Sequence, residues 1–211
     1  MTEALQLPAA ACAALCDDLP RASSPDAALR ILEQVRQKLL GDGLLTVNLN
    51  ATPKRIDDEA VELQRLWSSR PEVYPVAGRK RKAITPWVRQ LLLRCEVFVG
   101  EGDAILAEVF DDHKLIASLG LHAVINVPLL MDGRCIATFN VLGTRPQWQP
   151  HEMMLARLLA VLATPWVLQA ASGILLKESD AFVTGDEDEV SLNRRDARAP
   201  DVPVYTSSFP I

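Results

Sequence analysis

Basic residues are too few in this chain to make it a polyanion binder. Its 211 residues carry 22 Lys and Arg against 27 Asp and Glu, a formal net charge of −5. No global positive field exists to draw it onto nucleic acid or anionic lipid. Paired cysteines are missing too. Cys12, Cys16, Cys95 and Cys135 show no metal-ligand spacing, and Cys12 and Cys16 lie one helical turn apart in an alanine-rich stretch, which reads as unligated thiols. The start, Met1-Thr2-Glu3, lacks the basic residues and apolar core of a secretory signal. We therefore expect a cytoplasmic protein with reduced thiols. Only three histidines occur, none in a known active-site motif, and the adjacent Asp111 and Asp112 would point differently on a helix. No nucleophile, base and orienting group line up, so we expect no enzyme, catalytic residue, cofactor or metal.

Long apolar runs are nearly missing as well. Residues 153–171 approach the roughly 20 residues of a membrane-spanning helix, but Arg157, Thr164, Pro165 and Gln169 interrupt them. A charge at that depth is expensive in lipid, so we read a helix packed in a core or against another subunit.

What is present is a sequence with 49% hydrophobic residues, enough for one domain with extensions. A short alanine-rich helix is expected over 8–17. A clearer one starts with Ser24 as cap and Pro25 in first position and runs to about Leu40, with Ala28, Ile31, Leu32, Val35, Leu39 and Leu40 as its apolar stripe. Gly41-Asp42-Gly43 ends it. Residues 44–50 read as a buried strand. Residues 61–67 read as a second, with Val61, Leu63, Arg65 and Trp67 on one face, while Val61, Leu63, Leu66 and Trp67 would also suit a helix. From 68 to 84, Pro71, Pro75, Gly78 and the cations Arg79-Lys80-Arg81-Lys82 predict a long loop. Thr85 and Pro86 open another helix, with Trp87, Val88, Leu91, Leu92 and Cys95 as its apolar positions. A short strand over 97–99 and two short helices over 103–110 and 112–119 follow.

The strongest local signal is Met131-Asp132-Gly133-Arg134 between the apolar runs 123–130 and 135–142. Asp-Gly there predicts a two-residue hairpin, because a type I′ turn needs positive φ at both central positions. Counting outward from it sets Asn126 opposite Phe139 and Ile125 opposite Asn140, with the two asparagines on opposite sides of the sheet. After a last long helix over 149–171, the composition turns polar. Asp186-Glu187-Asp188-Glu189, Arg194-Arg195, Pro200, Pro203 and Pro210 predict a largely irregular tail from about 180 to 211.

The string Ser118-Leu119-Gly120-Leu121-His122-Ala123-Val124-Ile125-Asn126-Val127-Pro128-Leu129, followed by Asp132-Gly133-Arg134 and Thr138-Phe139-Asn140-Val141-Leu142, resembles the core of bacterial GAF domains. Upstream, Ser69 to Val76, Gly78-Arg79-Lys80, Thr85-Pro86-Trp87 and Phe110-Asp111-Asp112-His113 resemble a proteobacterial group of short, stand-alone GAF proteins. The likeness covers about residues 26–171. It implies an α+β fold, a GAF-like antiparallel sheet with terminal helices packed on one face and a loop-covered pocket on the other. It implies an N-terminal extension over 1–23, the domain over 24–172 and a polar tail over 173–211. The function implied is that of a small-molecule-binding sensory or regulatory domain acting through a partner or as a homodimer joined by its terminal helices. A ligand-free interaction module and a thiol-dependent GAF-type reductase are the alternatives. The residue pattern of cyclic-nucleotide-binding relatives is not found, nor is a bilin-attaching cysteine near a histidine.

In such a fold Tyr74, Trp87, Phe110, His113 and Asn126 converge over one sheet face, with Phe139 beside Asn126, and these six are the candidate ligand-binding residues. Each also has a plain structural reading. The aromatics fit a core, His113 fits a helix cap, and Asn126 and Asn140 fit bonds to neighbouring backbone. The cations at 79–82 suit either a solvated loop or an anion held near the helix start at Thr85.

Overall fold

The computed structural model describes residues 7–52, 60–76 and 79–185, with side chains as far as Ser172. The expected features at Gly78 and over 186–211, including the acidic run, lie outside the described residues. The chain begins with helix α1, Ala9–Ala13, which widens over Ala14–Asp18 and tightens over Leu19–Arg21. Helix α2, Pro25–Leu40, starts as its cap demands: the Ser24 side chain accepts from the Ala27 amide at 3.2 Å, and Pro25 needs no partner for an amide hydrogen it lacks. Gly41 stops it at φ 80°, a left-handed conformation that costs glycine little.

Six strands follow among the described residues: β1 (Gly43–Asn50), β2 (Ala60–Ser68), β3 (Arg79–Ala83), β4 (Phe98–Glu101), β5 (Ala123–Met131) and β6 (Arg134–Gly143). They form one antiparallel sheet in the order β3-β2-β1-β6-β5-β4. Between β3 and β4 lies α3, Pro86–Val88, capped by Thr85 and continued as a wider turn over Arg89–Leu93. Cys95, expected on this helix, lies beyond it with φ 58°. Helices α4 (Asp103–Val109) and α5 (His113–Ser118) bridge β4 and β5.

The last helix, α6, is Pro150–Gly185. It therefore continues through 180–185, where an irregular chain was expected, because no proline or glycine pair stands between Ser172-Gly173 and Gly185 to end it. The unit built by the sheet ends at Ser172, and the N-terminal segment belongs to it. The stretch from 150 to 172 is long and apolar enough to cross a bilayer. Its Leu155, Ala156, Leu159, Ala160, Ala163 and Val167 are nonetheless buried on the sheet, while Met154, Leu158 and Val161 are exposed.

Two β-bulges decide which side chains face which way. On β2 the pairing steps from Trp67 opposite Val47 to Arg65 opposite Asn48, leaving Leu66 as the extra residue. Side chains alternate along a strand, so one extra residue reverses every face beyond it. Trp67 thus leaves the face of Val61, Leu63 and Arg65, correcting the expected alignment. It packs in the helix-side core and donates from Nε1 to Asp26 of α2 at 2.9 Å.

The second bulge is on β6. The Asp132-Gly133 turn forms as expected, with φ 51° and 72° and Met131 opposite Arg134. Leu130 then pairs with Cys135 and Leu129 with Ala137, leaving Ile136 extra. Asn126 therefore sits opposite Asn140, not Phe139, and the two asparagines share a face. Phe139 moves to the other side, fully buried with Val141, Ile125 and Val127 against α2 and α6.

The cation run holds the third correction. Residues 79–83 are a strand, not a loop, paired with β2 from Ala60 to Gln64. An edge strand tolerates charge because one of its sides meets solvent, and lysines there deter pairing with other chains.

Candidate functional site

The sheet face away from α2 and α6 carries a cavity of about 100 Å³. Its floor is set by strand register. Thr46, Asn140 and Asn126 lie opposite one another on three adjacent strands, β1, β6 and β5. Their side chains form a chain of bonds. Trp87 of α3 donates from Nε1 to Asn126 Oδ1 at 2.9 Å, and Asn126 donates from Nδ2 to Asn140 Oδ1 at 2.8 Å. The Asn140 amide donates more loosely to Thr46 Oγ1 at 3.3 Å and to the Thr46 and Thr138 carbonyls at 3.4 Å. The next row brings Arg65 opposite Asn48, and Asn48 opposite Thr138. The Thr138 hydroxyl is buried without a partner among the described residues. Apolar Val124, Leu142, Leu63 and Ile116 complete the lining.

The roof comes from the loop after β2 and from the α4–α5 turn. Tyr74, 5% exposed, donates its hydroxyl to Asp112 at 2.8 Å. Burial, and then the Asp112 carboxylate, push that hydroxyl well above the usual tyrosine range, so it remains a donor. The Arg65 guanidinium stacks 4.5 Å from the Tyr74 ring centre. Burial pulls its proton affinity down, while Tyr74 and Asp112 oppose the shift. Trp87 meets Phe110 edge to face, with ring centres 5.8 Å apart and planes at 71°. Lys82 lies 5.5 Å over the Trp87 ring and 3.3 Å from Asp111.

Because 79–82 are a strand, their charges divide. Lys80 and Lys82 lie opposite Leu63 and Val61 and line the cavity, whereas Arg79 and Arg81 take the other face, where Arg79 comes within 3.9 Å of Glu62. At the expected helix start, the Thr85 hydroxyl already takes the Val88 amide at 3.3 Å.

Of the six residues singled out from sequence, Tyr74, Trp87, Phe110 and Asn126 line the cavity. His113 does not: its Nδ1 lies 3.0 Å from the Phe110 carbonyl and closes the turn into α5. Phe139 does not, for the reason of register given above. Arg65, Asn140, Thr46 and Asp112 were not singled out. Thr46, Asn48 and Asn50 alternate with Leu45, Val47 and Leu49 along β1, and that alternation was the available signal for a polar-floored face.

Cys135 is poorly placed for thiol chemistry. Cys135 is buried and pushed up to about 12, first by burial and then by nearby Cys95. A protonated, enclosed thiol is a weak nucleophile. No group of three His, Cys, Asp or Glu side chains suited to a metal ion occurs among the described residues.

A six-stranded antiparallel sheet with helices on one face and a polar-floored cavity on the other is an α+β architecture of the GAF type. A family model for the GAF domain matches residues 23–164, and the chain belongs to the GAF domain family. GAF domains are sensory ligand-binding domains. Solved structures of the same fold include the GAF domain of a phosphoenolpyruvate-protein phosphotransferase from Coxiella burnetii, at 13% identity and TM-score 0.54, covering 75% of this chain and 91% of that one. A segment of a methyl-accepting chemotaxis protein matches at 13% identity and TM-score 0.53, over 77% of this chain and 99% of that one. The chromophore-binding domain of a bacteriophytochrome from R. palustris matches at 15% identity and TM-score 0.52, over 77% of this chain and 61% of that one. At these identities the likeness is one of fold. No curated protein matches the sequence.

Proposed function

We propose that this chain is a non-enzymatic sensor domain of the cytoplasm that binds a small molecule in the cavity and passes the signal to a partner or a second copy. The observation that carries the reading is the bonded row Trp87, Asn126, Asn140 and Thr46 beneath the cavity. Buried amides in a sheet are costly unless satisfied, and here their chain ends on an aromatic that itself lines the cavity. A molecule bonding to either asparagine would therefore disturb Trp87 and, through it, α3. The exposed Met154, Leu158 and Val161 of α6 support contact with a second copy or a partner.

Native mass spectrometry of the full chain, purified from cytoplasm without added ligand, tests this reading. A discrete extra mass that Trp87→Ala removes, together with a ligand-dependent rise in melting temperature, is the expected result. A protein with no added mass and no thermal response across extracts would replace the sensor with a ligand-free interaction module. That second reading is favoured by how many lining groups already bond one another.

A further inference from the structure

We infer that the molecule this cavity takes is a small organic carboxylate, its carboxylate held by Arg65 and Lys80 and its carbon chain laid against Trp87 and Phe110. The inference rests on the sensor reading and narrows it to a ligand class.

Arg65 is the first reason. Its ring-stacked guanidinium uses Nη1 on the Pro75 carbonyl at 3.2 Å, but its Nε is enclosed and has no partner among the described residues. Arg65 lines the cavity, and a planar carboxylate there fits the guanidinium fork. Lys80 is the second. It lines the cavity opposite Leu63, one same-face step from Arg65, and forms no ion pair among the described residues.

The local anions cancel this charge only in part. Asp111 and Asp112 line the cavity against Arg65, Lys80 and Lys82, which leaves one positive charge in excess, and Asp111 is 94% exposed where it meets Lys82. A free cation would thus meet a net positive lining. Size and lining narrow the class further. A cavity of about 100 Å³ holds a chain of few carbons, and the apolar wall beside the cations would be wasted on inorganic phosphate.

The test titrates the full chain with sodium acetate, propionate, butyrate and pyruvate, reading the melting temperature and saturation transfer from protein aromatics to the ligand protons. Inorganic phosphate and methylammonium chloride are run in parallel. At least one carboxylate is expected to bind and methylammonium to give nothing. Arg65→Gln is expected to weaken that binding at least tenfold. Lys80→Gln, on an exposed edge position that folding does not need, should weaken it severalfold even if Arg65→Gln fails to fold. Lys38→Gln, which removes a cation from exposed α2 surface, should change nothing. Phosphate binding as well as or better than every carboxylate would overturn the assignment. So would binding that survives Lys80→Gln and Arg65→Gln unchanged. If the carboxylates fail while native mass spectrometry finds a neutral or cationic molecule lost in Trp87→Ala, the carboxylate class is wrong and the sensor reading stands. If no molecule of any class is found, both fail.

Discussion

Replacing Asn126 by alanine should destabilise the domain by about 2–4 kcal/mol. Asn126 is 2% exposed, Asn140 4% and Trp87 7%. Removing the Asn126 amide takes the acceptor from Trp87 Nε1 and the donor from Asn140 Oδ1 at one stroke. Each buried polar atom left unpaired costs about 1–3 kcal/mol. The adjoining cavity admits water to these atoms, which keeps the total in the lower half of the summed range. For a domain of this size the loss corresponds to a fall in melting temperature of about 4–16 °C. Urea unfolding of the wild type, Asn126→Ala, Asn140→Ala and the double variant measures it. The two asparagines should couple by at least about 1 kcal/mol, the double variant losing less than the sum of the singles. Additivity within about 0.5 kcal/mol would refute the reasoning. The amides would then not touch, and the bulge at Ile136 would not exist.

Three further outcomes are expected of the same structure. The Asp26 carboxyl is held below its ordinary value of 3.8 first by Arg30 and then by Trp67. A depressed carboxyl adds stability that is present above its unfolded pKa and lost as pH falls through the folded one. The stability gap between wild type and Trp67→Phe, followed by urea midpoints, should therefore be full at neutral pH and shrink below about pH 4; a gap independent of pH would deny the bond. A Cβ on Gly43 would stand 2.1 Å from the Leu142 carbonyl oxygen, a backbone atom with no room to move. Gly43→Ala should cost about 1–3 kcal/mol, and a neutral result in thermal melts would show that the first β1–β6 pair is looser than described. In peptide mapping after iodoacetamide treatment, exposed Cys16 should be alkylated well before Cys135 in the folded protein, with Cys135 reacting only on unfolding. Equal rates would contradict the enclosed, protonated thiol.

The local chemistry of the chain was legible where one residue type fixes one geometry. Ser24-Pro25 opened a helix, Thr85-Pro86 another, and Asp132-Gly133 turned a hairpin, each with the predicted partner or φ. What the sequence concealed was the two extra residues, Leu66 and Ile136. Both are apolar and partly buried, so nothing in their character marks them as bulged. Strict alternation then carries the error outward, misplacing Trp67 and Phe139 and separating Asn126 from Asn140. The run Arg79-Lys80-Arg81-Lys82 misled for another reason. Charge signals exposure, and an edge strand is exposed without ceasing to be a strand. Four of the six candidate residues lie where they were expected because Tyr74, Trp87, Phe110 and Asn126 sit in or beside elements whose ends the sequence marks. His113 was a choice between two readings, and its bond to the Phe110 carbonyl settles which group it touches.

The ties across the cavity roof join parts of the sheet that hydrogen bonding leaves far apart. Strands β3 and β4 are its opposite edges, with four strands between them. Yet Lys82 on β3 reaches Asp111, and Tyr74 just before β3 reaches Asp112, both in the turn one helix beyond β4. Local opening of one edge is therefore expected to loosen the other, although no backbone ladder pairs them directly. In hydrogen–deuterium exchange, β3 and the α4–α5 turn should lose and gain protection in step, so that filling the cavity would quieten both rims of the sheet at once.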